Sequence, residues 1–397
     1  MNLRYRSECW SSVKNDKSQR LVLSARDVGS AGHIAALAAG AAMHGMSSLI
    51  VAEGAAQAYL ETRRIPYITA DVWLSATGTP DKPIDVIALA REKLTQADAN
   101  AVVCGRSSPQ GNGIDRTVIT AARLLDIPSF VIQDFWGDVW EEECRPDHYL
   151  VADEQAARLT RQRTAADVHV IGSPKHAQYM HIDFQYLREK GRATLGLASE
   201  TPTIGYFGQD LLSLPGYRQV LLDIGETIRQ MNGIALFYKP LPRETQASHS
   251  QTLALLHESG ARPVVAQDIT VEAAIASADV VLSCFSTVGL DAAYMMRAHS
   301  APNVSIVCSD YPEDVSNFWR PATGLSMFPL VSDGIALPAR NRSSLEYALR
   351  IGLTPAEQQR QATACQSILS NPNMSIDRAY DLITRSITNS NTLKVRA

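Results

Sequence analysis

The chain has 397 residues, of which 45% are hydrophobic and 20% are charged, and its formal net charge at pH 7 is −4. This length exceeds what one ordinary core accommodates and predicts two domains of about 150–200 residues. The composition is that of a soluble globular enzyme and excludes a disordered chain. An acidic balance without a dense Lys/Arg tract also argues against a general nucleic-acid-binding protein.

The cysteines and histidines give no sign of a metal or disulfide framework. The six cysteines are scattered without CxxC spacing, which fits a reducing compartment. His176 and His181 lack a metal-like grouping with Asp, Glu or Cys. The first residues show no apolar signal region, and no apolar run reaches the ~18 residues of a membrane helix. We therefore expect a cytoplasmic protein with no membrane span, no metal and no cofactor.

In the first half, short apolar runs alternate with helical stretches. The predicted strands are 21–24, 48–51, 67–70, 101–104, 129–133, 148–151 and 168–171, and the predicted helices are 35–44, 84–96 and 116–125. Such alternation indicates a parallel sheet with helices on both faces.

The pattern restarts at 203 after a polar helical connection. Strands are predicted at 203–207, 234–238, 263–265, 280–283 and 305–308, with helices at 217–231, 252–259, 271–276, 343–352 and 355–368. We predict an α/β fold of two doubly wound Rossmann-like domains that face a cleft. The boundaries are 1–180 and 181–397, and the last helix, about 373–387, is expected to pack back on the N-terminal domain.

The segment 280–293 predicts a buried strand, a tight turn and a helix start. A turn with Ser286 and Thr287 at a helix N-terminus suits a phosphate, because the first backbone N–H groups lack internal partners. The alternative is that either residue only caps the helix. Asp291, one turn further on, can accept the hydroxyls of a ribose or simply complement the helix dipole.

Other strand ends carry candidate chemistry. His33, after Gly29-Ser30-Ala31-Gly32, can act as a general base, unless the glycines only allow close helix packing. Lys239 and Arg243 can face diphosphate oxygens, or only water. Gln133, Asp134 and Trp136 can bind a sugar or acceptor, although aromatic residues at a strand end often only cover the core.

The Gly-x-Gly-x-x-Gly fingerprint of dinucleotide-binding proteins does not occur in the first turn, which argues against a nicotinamide cofactor.

Together these stretches resemble the nucleotide-sugar enzymes of the GT-B fold, which include glycosyltransferases and UDP-N-acetylglucosamine 2-epimerases. Gly32-His33 is similar to the Gly-His at the first turn of many such transferases. The segment 239–244 resembles their Lys-Pro-His-Pro-Arg-Glu loop, and 283–292 resembles their Ser-x-Ser-Thr-x-x-x-Glu-Ala element. The run from 113 to 137 is similar to sugar-polymer transferases. Leu241 replaces the family's His, and Asp291 replaces its Glu.

The resemblance implies a glycosyltransferase of polysaccharide biosynthesis, with an acceptor-side N-terminal domain and a nucleotide-donor C-terminal domain. The donor is expected to be of the UDP or CMP/CDP type, and the acceptor a small molecule or glycan. His33 and Asp134 are the candidate catalytic residues, and Gln133 and Trp136 the candidate acceptor-binding residues. The donor and its phosphates are assigned to Gly32, Lys239, Arg243, Ser283, Ser286, Thr287, Gly289 and Asp291.

Two other functions remain open. An epimerase-like enzyme needs carboxylates near C2 of the sugar, for which Asp115, Asp134 and Glu142 are candidates. A non-catalytic nucleotide-binding protein is compatible with Leu241 in the place of the family's His.

Overall fold

The computed structural model describes residues 18–75, 85–106, 113–241, 244–299 and 304–396. The strands within these ranges are β1 (Gln19–Ala25), β2 (Met46–Ala52), β3 (Ile68–Thr69), β4 (Ala101–Gly105), β5 (Ser129–Ile132), β6 (His148–Val151), β7 (Asp167–Val170), β8 (Thr203–Phe207), β9 (Ala235–Lys239), β10 (Val264–Val265), β11 (Val280–Ser283), β12 (Ser305–Cys308) and β13 (Leu337–Pro338).

Helices follow most of the strands. They are α1 (Val28–Gly40), α2 (Ala55–Thr62), α3 (Ala70–Trp73), α4 (Val86–Gln96), α5 (Ile114–Arg123), α6 (Glu154–Arg161), α7 (Phe184–Thr194), α8 (Pro215–Gln230), α9 (Gln246–Glu258), α10 (Val271–Ser277), α11 (Val288–Ala298), α12 (Glu313–Ser316), α13 (Arg320–Thr323), α14 (Pro329–Ser332), α15 (Arg342–Gly352), α16 (Pro355–Ile368) and α17 (Asn373–Arg396).

The chain divides into two compact units, one formed by Met1–Ala177 and Asn371–Ala397 and the other by Gln178–Ser370. The first unit contains a seven-stranded sheet of order β3-β2-β1-β4-β5-β6-β7, and the second a six-stranded sheet of order β10-β9-β8-β11-β12-β13. Every strand pair in both sheets is parallel. Both orders reverse direction once, between β1 and β4 and between β8 and β11, as in Rossmann-type sheets. The predicted α/β class with two doubly wound sheets is confirmed.

The core of the first unit includes residues from both ends of the chain. Leu21, Leu23 and Ile34 are buried in one apolar cluster with Tyr380 and Ile383 of α17. The Tyr380 hydroxyl donates a hydrogen bond of 2.6 Å to the carbonyl oxygen of Leu37 in α1. The last helix is therefore part of the core of the first unit.

The first helix begins seven residues before the predicted start. Asp27 caps α1 by accepting a hydrogen bond from the backbone N–H of Ser30, and the Ser30 side chain completes a capping box. The segment from Gly29 to His33 is consequently helical and not a turn.

The short edge strand β13 was not predicted, because two residues carry no periodic signal. Within the described part of the chain, no helix is both long and apolar enough to cross a bilayer.

Replacement of Ile383 by Ala should destabilise the first unit by about 2–5 kcal/mol, because it leaves a cavity between α17 and the sheet. Hydrogen–deuterium exchange of peptides from α1 and α17, together with thermal unfolding, measures the effect. Met374→Ala is the matched control on the same helix, since Met374 is 50% exposed. Equal exchange rates and melting temperatures in the two variants would show that α17 is dispensable to this core.

Candidate functional site

Three charged or titratable side chains meet in the first unit where strands end. Asp134 follows β5, His33 lies in the second turn of α1 after β1, and Lys175 follows β7. The Lys175 ammonium donates to Asp134 Oδ1 at 2.7 Å, and His33 Nε2 lies 3.3 Å from the same oxygen. His33 is 2% exposed and Lys175 9%. We call these three residues the Asp134 triad.

Two glycines of α1 make room for the triad. A Cβ at Gly29 would lie 2.0 Å from Asp134 Oδ2, and a Cβ at Gly32 would lie 3.2 Å from the Cβ of Lys175. A side chain at position 29 is incompatible with the present position of the carboxylate. Gly29 therefore permits the close approach of α1 to Asp134, and Gly32 is adjacent to Lys175.

The environment keeps Asp134 ionised. Burial raises the pKa of this carboxyl group, but the positive charge of Lys175 and the hydrogen bonds from His33 and Lys175 outweigh burial and hold the pKa well below its ordinary value. A carboxylate of such low basicity is a poor proton acceptor but a good partner for a cation. Asp134 is thus suited to orient His33 and to stabilise its protonated form.

Both ring nitrogens of His33 have neighbours. Nε2 faces Asp134, and Nδ1 accepts a hydrogen bond from the backbone N–H of Lys175 at 3.5 Å. The second contact is at the upper limit of hydrogen-bond length and is the weaker of the two. If Nε2 carries the proton toward the carboxylate, Nδ1 is the atom with the basic lone pair.

The two predicted acceptor-binding residues are buried and hydrogen-bonded within the first unit. The Gln133 amide donates to the carbonyl oxygen of Asp138 at 2.8 Å and accepts from Thr160 at 3.0 Å. Trp136 is 3% exposed, and its indole N–H donates to Asp153 Oδ2 at 3.0 Å. These contacts hold the segment that follows β5, and therefore Asp134, in place.

The other two carboxylates considered from the sequence, Asp115 and Glu142, have surroundings different from those of Asp134. Asp115 is 1% exposed and accepts a 2.6 Å hydrogen bond from Ser24. Glu142 is largely exposed and forms an ion pair of 3.2 Å with Arg145.

In the second unit, the turn after β11 lies at the point where the strand order reverses. The N–H of Phe285, in this turn, donates to the side-chain oxygen of Gln209, which follows β8, at 3.0 Å. The two loops that flank the reversal are therefore tied together. In open α/β sheets, ligands bind in the crevice at this position.

The turn leads into α11 without a side-chain cap from Thr287. Ser286 makes a capping-type contact of 3.3 Å, in which its Oγ accepts from the N–H of Val288. Among the described residues, no backbone acceptor is found for the N–H groups of Ser286 and Thr287. Both residues are half-buried. The N-terminus of α11 thus presents two N–H groups and two hydroxyl groups, which we call the α11 turn.

The remaining residues predicted around this turn differ in exposure. Ser283 is 1% exposed at the end of β11. A Cβ at Gly289 would lie 2.8 Å from Leu330 Cδ1, so the glycine allows close packing of α11. Asp291 is half-buried in the first turn of α11.

The Lys239 ammonium is held by backbone carbonyl groups. It donates to the oxygens of Ala266, Gln267 and Ile269 at 2.8, 3.3 and 2.6 Å, which matches the three N–H bonds of an ammonium group. Burial lowers the pKa of Lys239. In this arrangement Lys239 fixes the loop between β10 and α10. Arg243 lies outside the described residues.

Lys175 is the functional candidate that sequence reasoning missed. Its segment, Gly172-Ser173-Pro174-Lys175, is not among the candidate sites predicted from the sequence. The available signal was a lysine directly after a strand of a parallel sheet, where its side chain can reach the residues that follow β1 and β5.

The fold is shared with enzymes of nucleotide-sugar chemistry. S. aureus MnaA, in a co-structure with UDP, aligns with a TM-score of 0.64 and 11% identity over 93% of this chain and 97% of its own. UDP-GlcNAc 2-epimerase from Neisseria meningitidis, bound to UDP-GlcNAc, has a TM-score of 0.61 and 11% identity over 94% and 100%. A glycosyltransferase from Rickettsia africae ESF-5 gives the same values.

These structural similarities confirm the expected GT-B type of fold with two Rossmann-like domains. No protein-family model and no curated protein sequence matches the chain.

Replacement of Lys175 by Met should remove the cation that stabilises Asp134 and cost about 3–5 kcal/mol at pH 7. The pKa of Asp134 is depressed in the folded protein, so its stabilising effect is present above the unfolded value of about 3.9 and is lost as pH falls below it. Stability of the first unit should fall between pH 5 and pH 2, and less steeply in Lys175→Met.

Chemical unfolding at a series of pH values measures this difference. Lys190→Met, at an exposed lysine, is the control and should behave as the wild type. An unchanged pH dependence in Lys175→Met would refute the electrostatic role of Lys175.

Proposed function

We propose that this protein is an enzyme that transfers a sugar, or a related group, from a nucleotide-activated donor to an acceptor hydroxyl group. The observation that carries the proposal is the α11 turn, because the N–H groups of Ser286 and Thr287 have no backbone acceptor among the described residues and lie at the reversal point of a Rossmann-type sheet. Such a helix N-terminus binds phosphate through its N–H groups and its dipole.

The donor's phosphates would lie on the α11 turn. The N–H groups and hydroxyls of Ser286 and Thr287 would donate to phosphate oxygens, and Asp291 would accept from the ribose. Ser283 and Gly289 would determine the shape of the turn. Ser283 is buried at the end of β11, and Gly289 allows α11 to pack closely against Leu330. Lys239 would shape the neighbouring loop through its three carbonyl contacts.

The acceptor hydroxyl would be activated by His33. Its Nδ1 would take the hydroxyl proton while Asp134 holds Nε2–H and stabilises the resulting imidazolium. The acceptor oxygen would then form a bond with the anomeric carbon, and the bond from that carbon to the phosphate oxygen would break. The negative charge on the departing nucleotide would be stabilised by the N-terminus of α11. For this step, the 3.5 Å contact from the Lys175 N–H to Nδ1 has to open.

Gln133 and Trp136 would support acceptor binding indirectly. Their polar atoms bond to Asp138, Thr160 and Asp153, so they would fix the segment that carries Asp134. Direct contact of the Trp136 ring with an acceptor would require the indole to leave its buried position. Gly32 would contribute by leaving room for Lys175.

A second candidate is the epimerase reaction, because proteins of that activity share the fold. Such an enzyme removes and re-adds a nucleotide leaving group on a single substrate. Incubation of a nucleotide sugar without an acceptor distinguishes the two functions. Epimerised sugar would favour the epimerase, whereas product that forms only with an acceptor would favour the transferase.

Nucleotide binding tests the donor assignment. In a thermal-shift panel of UDP, CMP, GDP and dTDP, at least one nucleotide should raise the melting temperature. Ser286→Ala and Thr287→Ala should each weaken its binding about tenfold, since a hydrogen bond to a charged group contributes roughly 1.5–3 kcal/mol.

The control for this experiment is Thr363→Ala, which removes an exposed hydroxyl group of α16. A panel without any stabilising nucleotide would refute the proposal. It would also fail if Ser286→Ala and Thr287→Ala both bound the nucleotide as tightly as the control.

His33→Ala should lower turnover by roughly 10²–10⁴-fold, the usual contribution of general acid–base catalysis. The affinity for the nucleotide should change little, because His33 belongs to the first unit and the α11 turn to the second. Release of free nucleotide from the donor in the presence of acceptor measures turnover. His257→Ala, at an exposed position, is the control; full activity of His33→Ala would rule out the base assignment.

A further inference from the structure

Three side chains with metal-binding groups lie together at one end of the outer strands of the first sheet. His148 begins β6, and Asp167 and His169 belong to β7. In the parallel register, His148 is paired with Asp167, and Asp167 and His169 are two residues apart. Alternation along a strand therefore places all three side chains on the same face.

The atoms that could bind a metal are at suitable separations. His148 Nδ1 lies 3.2 Å from His169 Nε2 and 3.7 Å from Asp167 Oδ2. All three atoms lie within 4.8 Å of one another. Two ligand atoms at about 2.0–2.1 Å from a tetrahedral Zn²⁺ are about 3.3 Å apart. The side chain of Asp167 is 75% exposed, so it has freedom to adjust.

The other nitrogen of His148 is oriented by the last helix. Ser386 Oγ, on α17, lies 3.0 Å from His148 Nε2, and the imidazole stacks on Phe130 with ring centroids 4.6 Å apart. A proton on Nε2, donated to Ser386, leaves the Nδ1 lone pair directed at His169. This is the outer-shell arrangement that orients metal-binding histidines.

Charges of both signs surround the three residues. Asp147 and Asp167 act on His148, whereas Asp167, Arg161 and Arg385 act on His169. A cavity of about 380 Å³ between β7, α6 and α17 is lined by His169, whereas His148 and Asp167 do not line it.

We propose that His148, Asp167 and His169 bind a divalent transition metal of the zinc class, with Ser386 as the outer-shell partner of His148. The site lies at the amino-terminal ends of β6 and β7, whereas Asp134 follows the carboxyl end of β5. The metal therefore belongs to a site separate from the Asp134 triad. Because Ser386 is on α17, the metal would strengthen the attachment of the last helix to the edge of the first sheet.

Calorimetric titration of the metal-free 397-residue chain with Zn²⁺ tests the proposal, with Co²⁺ absorption as a second readout of tetrahedral coordination. One equivalent should bind and raise the melting temperature. Asp167→Ala and His169→Ala should each weaken binding at least tenfold, and Ser386→Ala should weaken it by roughly 10–100-fold. His181→Ala, which removes an exposed histidine, should bind as the wild type.

Asp167 is exposed, so its replacement tests binding in a folded protein even if a histidine variant does not fold. Absence of Zn²⁺ binding by the wild type would overturn the proposal and show that the 3.2 Å contact is a hydrogen bond between two imidazoles. Binding that is unchanged in Asp167→Ala and His169→Ala would overturn it as well. Both results are independent of nucleotide binding and turnover.

Discussion

The parallel direction of every strand governs where chemistry can occur in this protein. Parallel neighbours cannot be joined by a hairpin, so each connection crosses back over the sheet, and the carboxyl ends of all strands meet at one edge. In the first sheet this brings together residues that follow β1, β5 and β7, which are His33, Asp134 and Lys175. In the second sheet it joins the loops after β8 and β11 through Gln209 and Phe285. Both candidate sites therefore lie at the edge of a sheet where the carboxyl ends of parallel strands meet.

Burial of the Asp134 carboxylate imposes a second constraint. A charge withdrawn from water has to be paired and hydrogen-bonded, and here an ammonium and an imidazole fulfil that requirement. The space beside this carboxylate is also limited, since a side chain at position 29 would overlap Asp134 Oδ2. The glycine, the capped start of α1 and the lysine after β7 therefore form one arrangement. The same contacts that stabilise the first unit also orient the His33 imidazole.

Strands, helices and individual candidate residues could be predicted from the sequence better than the contacts between those residues. Alternating apolar runs indicated two parallel sheets, and the strand–turn–helix pattern located α11 within a few residues. His33 and Asp134 were both selected, but their contact depends on the approach of α1 to the end of β5, which no local pattern encodes. The sequence around Lys239 could not distinguish an ammonium group that binds phosphates from one that binds backbone carbonyl groups. His148 and His169 are 21 residues apart, and only the register of β6 and β7 brings them together.

A crystal structure of the protein in complex with its best-binding nucleotide would test whether the α11 turn binds the donor's phosphates. We expect phosphate oxygens at about 2.7–3.2 Å from the backbone nitrogens of Ser286 and Thr287, at the N-terminus of α11, and the ribose hydroxyls at Asp291. A nucleotide bound elsewhere, or phosphates held by other groups while the α11 turn faces only water, would contradict it.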